Sequence, residues 1–144
     1  MTSKPDPATV AAWTGLARAE RRARGRIETA LKAAGLPPLA WYDALWELEK
    51  AGENGLRPFA LERALLFEQY NLSRLADRLG RAGLIAKTSC ADDRRGQVLS
   101  ITDEGRQMRA RMWRVYSQAI EEAVGSRLSP AQAQALADLL RKLE

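Results

Sequence analysis

The chain has 144 residues, which is enough for one domain or for a domain with a helical extension, and a formal net charge of +5. Histidine is absent, Cys occurs once, and no phosphate-binding glycine loop or nucleophile motif is present. An enzyme and an ordinary zinc site are therefore disfavoured, and no catalytic residue, cofactor or metal is predicted. The excess of Lys and Arg favours a polyanionic partner.

No apolar stretch is long enough to span a membrane, and the first residues lack the apolar core of a signal peptide. The single Cys cannot form an internal disulfide, which fits a reducing compartment. We therefore expect a cytoplasmic protein with no membrane partner.

The N-terminal third predicts two helices. The first begins at Pro7, with Asp6 as its cap, and runs to about Ala34, where a Gly-Leu-Pro-Pro sequence breaks it. Its middle, residues 18–26, is strongly basic, and we interpret this run as a solvated helix face rather than a phosphate contact. The second helix is expected over residues 39–51.

The next segment predicts two short helices joined by a tight connection at residues 67–69. Residues 56–57 are expected to be extended because Pro58 follows them, and they could add a third short strand. The first short helix spans residues 59–66 and the second, which is basic, spans residues 70–83, an arrangement typical of a helix-turn-helix. The residues expected to face inward from the first are Leu61, Leu65 and Leu66.

The helix over residues 70–83 is strongly amphipathic. Leucine and alanine recur at three- and four-residue steps, which makes one apolar stripe. The opposite face is polar and mainly basic, which suits the major groove of DNA. Gly83 stands where a left-handed helix cap is usual. The stripe comprises Leu72, Leu75, Ala76 and Leu79, and the polar face carries Ser73, Arg74, Asp77, Arg78 and Arg81.

A β-hairpin is predicted directly after this helix. Residues 84–89 and 97–101 are short β-prone runs, and residues 91–96 form a polar turn that ends in Gly. Arg94 and Arg95 are expected at its tip, where they suit a minor groove or phosphates. A basic helix followed by such a hairpin predicts a winged helix, so the expected fold class is mainly α with a small β-hairpin wing.

Two helices complete the chain. Thr102 caps a helix that runs to about Val124, and Ser129-Pro130 begins a last helix that runs to about Leu143. The first helix and these two each carry an apolar face that needs a partner surface. Two copies of the chain would supply it, so a homodimer is expected.

Three segments carry motifs that recur together in one family. They are LSRLADRLGRAGL at residues 72–84, Asp93-x-Arg95 followed by ITDEG at residues 101–105, and WYDALW at residues 41–46. With these segments the chain resembles the MarR family of bacterial transcription regulators over nearly its whole length. The first is similar to the family's recognition helix and its exit, the second to its wing signature, and the third to its second helix.

The resemblance implies a homodimeric winged helix-turn-helix regulator. Residues 1–36 and 103–144 would form the helical dimerisation region, and residues 37–102 the DNA-binding lobe. Family members usually repress genes from pseudo-palindromic sites, and many release double-stranded DNA when a small aromatic or lipophilic molecule, or an oxidant, acts on them. We therefore expect a repressor whose partners are double-stranded DNA, a second copy of itself and a small-molecule effector.

The pattern and the resemblance together assign candidate sites. Asp93 would hold the turn of the wing, and Asp77 would pair with a nearby arginine. The residues expected to contact DNA are Tyr70, Asn71, Ser73, Arg74, Arg78, Arg94 and Arg95. Aromatic residues, which are expected first of all in the core or the dimer interface, would also line an effector pocket: Trp13, Trp41, Trp46, Trp113 and Tyr116.

At four positions the chain departs from the family. Ser or Thr is common where Phe59 and Glu68 stand, at the starts of the two short helices. Pro58 is therefore expected to set the first of these turns, and Glu68 caps poorly. Small residues are frequent where Tyr70 and Asn71 stand. These departures bear on the operator sequence and on the affinity, and not on the fold.

Two alternative functions stay open. One is a DNA-binding regulator that takes no ligand, and the other is a winged helix that serves as a protein-interaction module, which Glu68 and Tyr70 mildly favour. Cys90 has basic neighbours in the sequence, which suits a redox-sensing thiol. Inert packing is nevertheless the favoured interpretation of this single cysteine.

Overall fold

The computed structural model describes residues 3–90 and 93–144, with the backbone alone at Cys90 and at residues 93–95. The described helices are α1 (Pro7–Ala33), α2 (Leu39–Ala51), α3 (Pro58–Ala64), α4 (Leu72–Arg81), α5 (Asp103–Ile120) and α6 (Pro130–Arg141). The strands β1 (Ile85–Cys90) and β2 (Asp93–Ile101) lie between α4 and α5, a 3-10 turn (Gly52–Asn54) follows α2, and a π-helical turn (Glu121–Gly125) continues α5. This order confirms the predicted fold class.

The described chain forms two compact units. The central unit is Leu31–Val115, and the terminal unit combines residues 3–30 with Tyr116–Glu144. The division into a dimerisation region and a DNA-binding lobe, with limits at residues 36 and 102, stays a prediction. Within the residues that the structure describes, no helix has both the length and the apolar character needed to cross a bilayer.

The start of α1 is fixed by Asp6, as predicted. The N–H of Thr9 donates to Oδ1 of Asp6 at 2.8 Å, which lowers the pKa of this exposed carboxyl. The basic middle of the helix is exposed and includes an ion pair between Arg24 and Glu20, 2.9 Å apart. Because such an exposed pair adds only about 0.3–0.5 kcal/mol, this run is best described as a solvated helix face.

The core of the central unit packs α2, α3 and α4 against the hairpin. Leu45 and Leu48 of α2 are fully buried and lie in one cluster with Leu61 of α3 and Leu99 of β2. Each fully buried leucine contributes about 1.5–3 kcal/mol. The predicted apolar stripe of α4 joins this cluster through Leu75, Ala76 and Leu79.

One residue that the sequence predicts to face inward is exposed. Leu66 is 70 % exposed, whereas Leu61 is buried and Leu65 packs against the core. The reason is that α3 ends at Ala64, and Leu65 leaves the helix with an extended ψ of 139°. The helical spacing that would have carried Leu66 inward therefore stops before it.

β1 and β2 form a two-stranded antiparallel hairpin, the wing, with Ile85 opposite Ile101 at its base. A register shift precedes the last pair, in which Cys90 lies opposite Asp93. The predicted turn over residues 91–96 is therefore wrong, because most of it belongs to β2. Residues 94–96 fall between the pairs Ser89–Gln97 and Cys90–Asp93, so they form a bulge-like stretch of β2 rather than a turn. The two residues between the strands lie outside the described chain.

The third strand that the sequence predicts beside the wing is a single bridge. The N–H of Leu56 donates to the carbonyl oxygen of Leu99, and the N–H of Leu99 donates back to Leu56, both at 2.8 Å. Gly55 allows this close approach, because its φ is +64° and a Cβ there would lie 2.8 Å from Cγ1 of Val98. The base of the wing is thereby fastened to the segment before α3.

One hydroxyl joins the end of α4 to the start of α5. The Thr102 hydroxyl donates to the carbonyl oxygen of Gly83 at 2.7 Å, and its oxygen accepts the N–H of Gly105 at 3.0 Å. Gly83 has a φ of +76°, the left-handed conformation that the sequence predicts there. Both the predicted cap at Thr102 and the predicted helix end at Gly83 are confirmed.

α6 begins in a capping box, as its Ser-Pro start predicts. The N–H of Gln132 donates to Oγ of Ser129 at 3.2 Å, and the N–H of Ser129 donates to Oε1 of Gln132 at 2.9 Å. Pro130 occupies the first turn, where its missing N–H costs nothing.

Candidate nucleic-acid interface

α4 begins two residues later than the sequence predicts, and its cap is Asn71. The side-chain oxygen of Asn71 accepts the N–H of Arg74 at 3.1 Å. Glu68 therefore does not stand at the cap position, and Tyr70 lies before the helix, fully exposed. Since Asn is among the best capping residues, the poor capping ability of Glu68 does not weaken this helix start.

The face of α4 opposite the core is polar and exposed. Ser73, Arg74 and Arg78 lie on it, whereas Leu75 and Leu79 lie on the buried face. Arg74 and Arg78 are four residues apart, so their guanidinium groups project from the same side of the helix. Neither has a carboxylate partner among the described residues. Their N–H donors are therefore available to an external acceptor.

Asp77 pairs with a lysine and not, as predicted, with an arginine. The ammonium group of Lys87 on β1 donates to Oδ1 of Asp77 on α4. This hydrogen bond and the charge of Lys87 lower the pKa of Asp77, and Arg81 adds a smaller effect. The pair neutralises a carboxylate beside the exposed arginines and connects α4 to the wing. Sequence spacing alone could not identify this partner, because it lies on a different element.

Asp43 is a positioning residue that the sequence analysis missed. It is only 5 % exposed, and its two oxygens accept the N–H groups of Leu66 and Phe67 at 3.0 and 2.9 Å. Burial raises the pKa of Asp43, and these two hydrogen bonds oppose that shift. Asp43 therefore fixes the connection between α3 and α4. The sequence feature that could have identified Asp43 is a carboxylate that lies among the apolar residues of α2.

Asp43→Asn is expected to lower the free energy of unfolding at pH 7 by about 1–3 kcal/mol. An amide offers a single acceptor oxygen, so one of the two N–H groups loses its partner. The folded wild type binds a proton on Asp43 more tightly than the unfolded chain does, since the folded pKa is raised above 3.8. Wild-type stability therefore gains as the pH falls through the folded pKa, and the variant lacks this gain.

Urea denaturation at pH 7 and pH 4 measures both effects. The difference in unfolding free energy between wild type and Asp43→Asn should be wider at pH 4. Asp138→Asn removes a carboxylate from the exposed surface of α6 and is the matched control, with little change expected at either pH. A difference for Asp43→Asn that is the same at both pH values would contradict the pH argument.

Four predicted wing side chains lie outside the described side chains: Cys90, Asp93, Arg94 and Arg95. The backbone places the latter three in the first residues of β2 and Cys90 at the end of β1. Their expected parts in DNA contact, in holding the wing and in thiol chemistry stay predictions.

The aromatic residues expected to line a pocket make separate contacts. Trp113 stacks on Tyr42, with ring centroids 5.9 Å apart and planes at 23°. Trp46 has the ammonium group of Lys50 at 5.4 Å and the guanidinium group of Arg109 at 5.2 Å from its ring centroid. Such cation–π contacts contribute about 0.5–1 kcal/mol at exposed sites.

The other three aromatic residues differ in burial. Trp41 packs against the core of the central unit, Tyr116 is buried, and Trp13 on α1 is 66 % exposed. A common pocket for the five residues stays a prediction. In the part of the chain that the structure describes, no group of three or more acidic or thiol side chains could hold a metal ion.

Comparison with known proteins finds relatives of this arrangement. Residues 34–96 match the family model described as MarR family. Over 88 residues the chain is 32 % identical to the HTH-type transcriptional regulator PrsX of Escherichia coli, covering 61 % of this chain and 52 % of PrsX. Over residues 34–96 the chain is thus similar to the MarR family. This match and the identity to PrsX confirm the resemblance seen in the sequence.

The alignments with curated relatives cover only part of this chain. PapX of Escherichia coli is 34 % identical over 64 residues, which is 44 % of this chain and 39 % of PapX. The chain thus spans about half the length, or less, of the curated relatives it matches.

Solved structures of transcription regulators and DNA-binding proteins share the fold over nearly the whole chain. The regulator Sco3205 of Streptomyces coelicolor, solved in complex with DNA, has a TM-score of 0.86 at 24 % identity and covers 99 % of this chain and 89 % of its own. BpsR of Bordetella bronchiseptica, whose DNA binding is regulated by 6-hydroxynicotinic acid, has a TM-score of 0.79 at 23 % identity. The match covers 92 % of this chain and 97 % of the BpsR chain. At these identities the likeness establishes the fold of this chain.

Proposed function

We propose that this protein is a dimeric, sequence-specific DNA-binding transcription regulator that represses from a pseudo-palindromic operator and is released by a small aromatic or lipophilic effector. The observation that carries the proposal is the exposed face of α4. Ser73, Arg74 and Arg78 lie there, and no described side chain forms an ion pair with either arginine; a hairpin that begins at Ile85 follows directly. A regulator of this kind acts where the DNA is, so a cytoplasmic location belongs to the proposal.

The proposed contact follows from the size and charge of α4. An α-helix fits the major groove of B-DNA, and an arginine there can donate two hydrogen bonds to guanine. Asn71 would contribute mainly through the helix start, where backbone N–H groups favour a phosphate. Tyr70, fully exposed beside it, would contact the sugar-phosphate backbone. The related Sco3205, solved with DNA, supports this placement.

Selection from random duplexes, followed by binding measurements at two salt concentrations, tests the proposal. A regulator should select a motif with two half-sites about one helical turn apart and should lose affinity steeply as salt rises. A protein-interaction module would select no sequence. That outcome would contradict the proposal of DNA recognition, and it would have no bearing on the winged-helix fold.

The dimer part of the proposal rests on exposed apolar faces. We expect sedimentation at micromolar concentration to show only a species near twice 16.0 kDa. Leu139→Lys should shift the population toward the monomer, whereas Gln134→Lys, on the same helix, should not. A folded wild-type monomer under these conditions would contradict the proposal of a homodimer. The large apolar residues left exposed on α1, on α6 and directly after α6 are Val10, Trp13, Leu16, Leu136, Leu139 and Leu143.

The wing is expected to bind DNA through charge. Replacing Arg94 and Arg95 together with Ala should lower the affinity for operator and scrambled duplexes alike. The slope of log K against log salt should become shallower by about one to two units per wing, and by twice that in a dimer that seats both wings. Any lost base preference should lie at the flanks of the site, where a narrow minor groove attracts arginine.

A salt titration on one operator and one scrambled duplex measures this slope. Asp93→Ala should lower the affinity and the salt slope less than the double arginine variant does, because it removes no positive charge. If the slope of the Arg94→Ala, Arg95→Ala variant is unchanged on both duplexes, the wing does not touch DNA.

The effector part is supported by BpsR, whose DNA binding is regulated by a small aromatic acid. In this chain the aromatic residues named above are proposed to contact the effector, with Trp46 and Trp113 the two that are close to 40 % exposed in the central unit. A thermal-shift screen with aromatic acids separates this proposal from the alternative of a regulator without a ligand. No shift with any acid would favour that alternative.

A further inference from the structure

α3 carries a stacked pair of side chains on its exposed side. The ring of Phe59 is 68 % exposed, and the guanidinium carbon of Arg63 lies 5.5 Å from the centroid of that ring. The two residues are four positions apart, so they share one face of the helix, whereas Leu61 between them is buried in the core. The pair therefore points away from the core, and most of the Phe59 ring takes no part in the packing of the central unit.

The charge of Arg63 has no acidic partner among the described residues. Glu62 is next to it in the sequence, but adjacent residues on a helix do not face each other. Stacking on Phe59 uses the flat face of the guanidinium group and leaves the N–H groups at its edge free to donate. A phosphate can accept two of these hydrogen bonds at once.

The start of α3 lies beside the face of α4 that is proposed to enter the major groove. Pro58, the first residue of α3, and Ser73 of α4 line the same cleft, which has a volume of about 140 Å³. In a helix-turn-helix whose second helix occupies the major groove, the first helix crosses the sugar-phosphate backbone. The stacked pair begins one residue after Pro58, so it lies on the helix that the backbone would pass.

We propose that Phe59 and Arg63 act together as a phosphate contact, in which the ring holds the guanidinium group and the guanidinium group donates two hydrogen bonds to one phosphate beside the groove. This inference rests on the proposed function and adds a contact on α3 to those on α4 and the wing. A guanidinium group already held on a ring loses less conformational freedom on binding than a mobile one. Phe59 is thus a positioning residue, and its effect should not depend on the DNA sequence.

Salt titrations of the full chain on its selected operator and on a scrambled duplex test the charge. Arg63→Gln should weaken both complexes by the same factor, about three- to tenfold, and should make the slope of log K against log salt shallower by about 0.9 for each copy of the chain bound. Arg21→Gln removes the same charge from the exposed surface of α1 and should leave the slope unchanged.

The same titrations distinguish failure of this inference from failure of the proposed function. An unchanged slope for Arg63→Gln, in a protein whose Arg74→Ala variant still loses affinity, would overturn the phosphate contact while DNA recognition by α4 stands. A wild type that binds neither duplex would overturn both.

A double-mutant cycle tests the part of Phe59. Phe59→Leu keeps an apolar side chain but removes the ring, and should weaken both complexes about two- to fivefold, the range expected from one cation–π contact. In the Arg63→Gln background the same change should have no further effect, because the ring then has no cation to hold. Phe59→Tyr retains an aromatic ring and should bind both duplexes like the wild type.

Two results of the cycle would overturn the inference. An equal loss from Phe59→Leu in both backgrounds would mean that the ring touches the DNA itself, and a loss confined to the operator would indicate an apolar contact with a thymine methyl group. Wild-type affinity of Phe59→Leu would mean that the ring does not position Arg63 for DNA. Thermal melting checks that each variant is folded, and because Phe59 is mostly exposed, its replacement should not move the melting temperature.

Discussion

Arg74→Ala and Arg78→Ala are each expected to weaken binding to the selected operator by about 1–3 kcal/mol, and at least one of them to relax the base preference. The reason is geometric. Both side chains leave the exposed face of α4 one turn apart, and a guanidinium group that donates two hydrogen bonds to guanine discriminates against other bases by this amount. A side chain that contacts only phosphate would instead weaken binding equally on every sequence.

Titration of each variant on the operator and on single-base variants of it separates these cases. Arg141→Ala removes the same charge at the end of α6, where the arginine pairs with Asp138 at 2.9 Å, and should leave both affinity and selectivity unchanged. Wild-type affinity and selectivity in both α4 variants would mean that this helix does not occupy the major groove.

Gly105→Ala is expected to lower the free energy of unfolding by about 1–3 kcal/mol, the usual result of overpacking against a rigid neighbour. Gly105 lies in the first turn of α5, and a Cβ there would collide with the carbonyl oxygen of Leu84 and lie 2.7 Å from Cγ1 of Ile101. Neither the strand base nor the helix can yield, because Thr102 is hydrogen-bonded to both Gly83 and Gly105.

Gly80→Ala is the matched control in the same compact unit. A Cβ at Gly80 meets only Cε of Lys87, at an ordinary 3.8 Å, and the residue lies within α4. Alanine there should raise stability by about 0.5–1 kcal/mol, since it removes the conformational freedom of glycine from a helix. Urea denaturation should show a lower free energy of unfolding than the wild type for Gly105→Ala and a higher one for Gly80→Ala. A loss of less than about 0.5 kcal/mol for Gly105→Ala would mean that the junction can relax.

Elements whose ends are set by neighbouring residues were predictable from the sequence. The bounds of α2 agree with the prediction, and the caps at Asp6, Thr102 and Ser129 form as expected. Gly83 takes its predicted left-handed conformation, because the residues next to it also set the end of α4. Each of these signals operates over three or four residues, so no knowledge of the remaining chain is required.

The parts that were wrong depend on contacts between distant elements. Leu66 is exposed because α3 stops early, and its N–H is held by Asp43, which lies in a different helix. The partner of Asp77 is Lys87 of β1. Such pairs cannot be read from spacing, because the fold brings the partners together only after the helices have packed.

The candidate site was partly predictable for a related reason. The periodicity of α4 separates its buried leucines from its exposed arginines, so Arg74 and Arg78 could be assigned to a face from the sequence alone. The cap role of Asn71 could not, because Tyr70 and Asn71 continue the polar pattern of the helix without ending it.

The bridge between Leu56 and Leu99 constrains the order in which the chain can fold. The two residues are about forty positions apart, and closing a loop of this length costs entropy before any contact compensates for it. An isolated two-stranded hairpin is marginally stable at best in water. We therefore expect that the wing is not an early folding nucleus. It should persist only once the helices between Leu56 and Leu99 have packed beneath it.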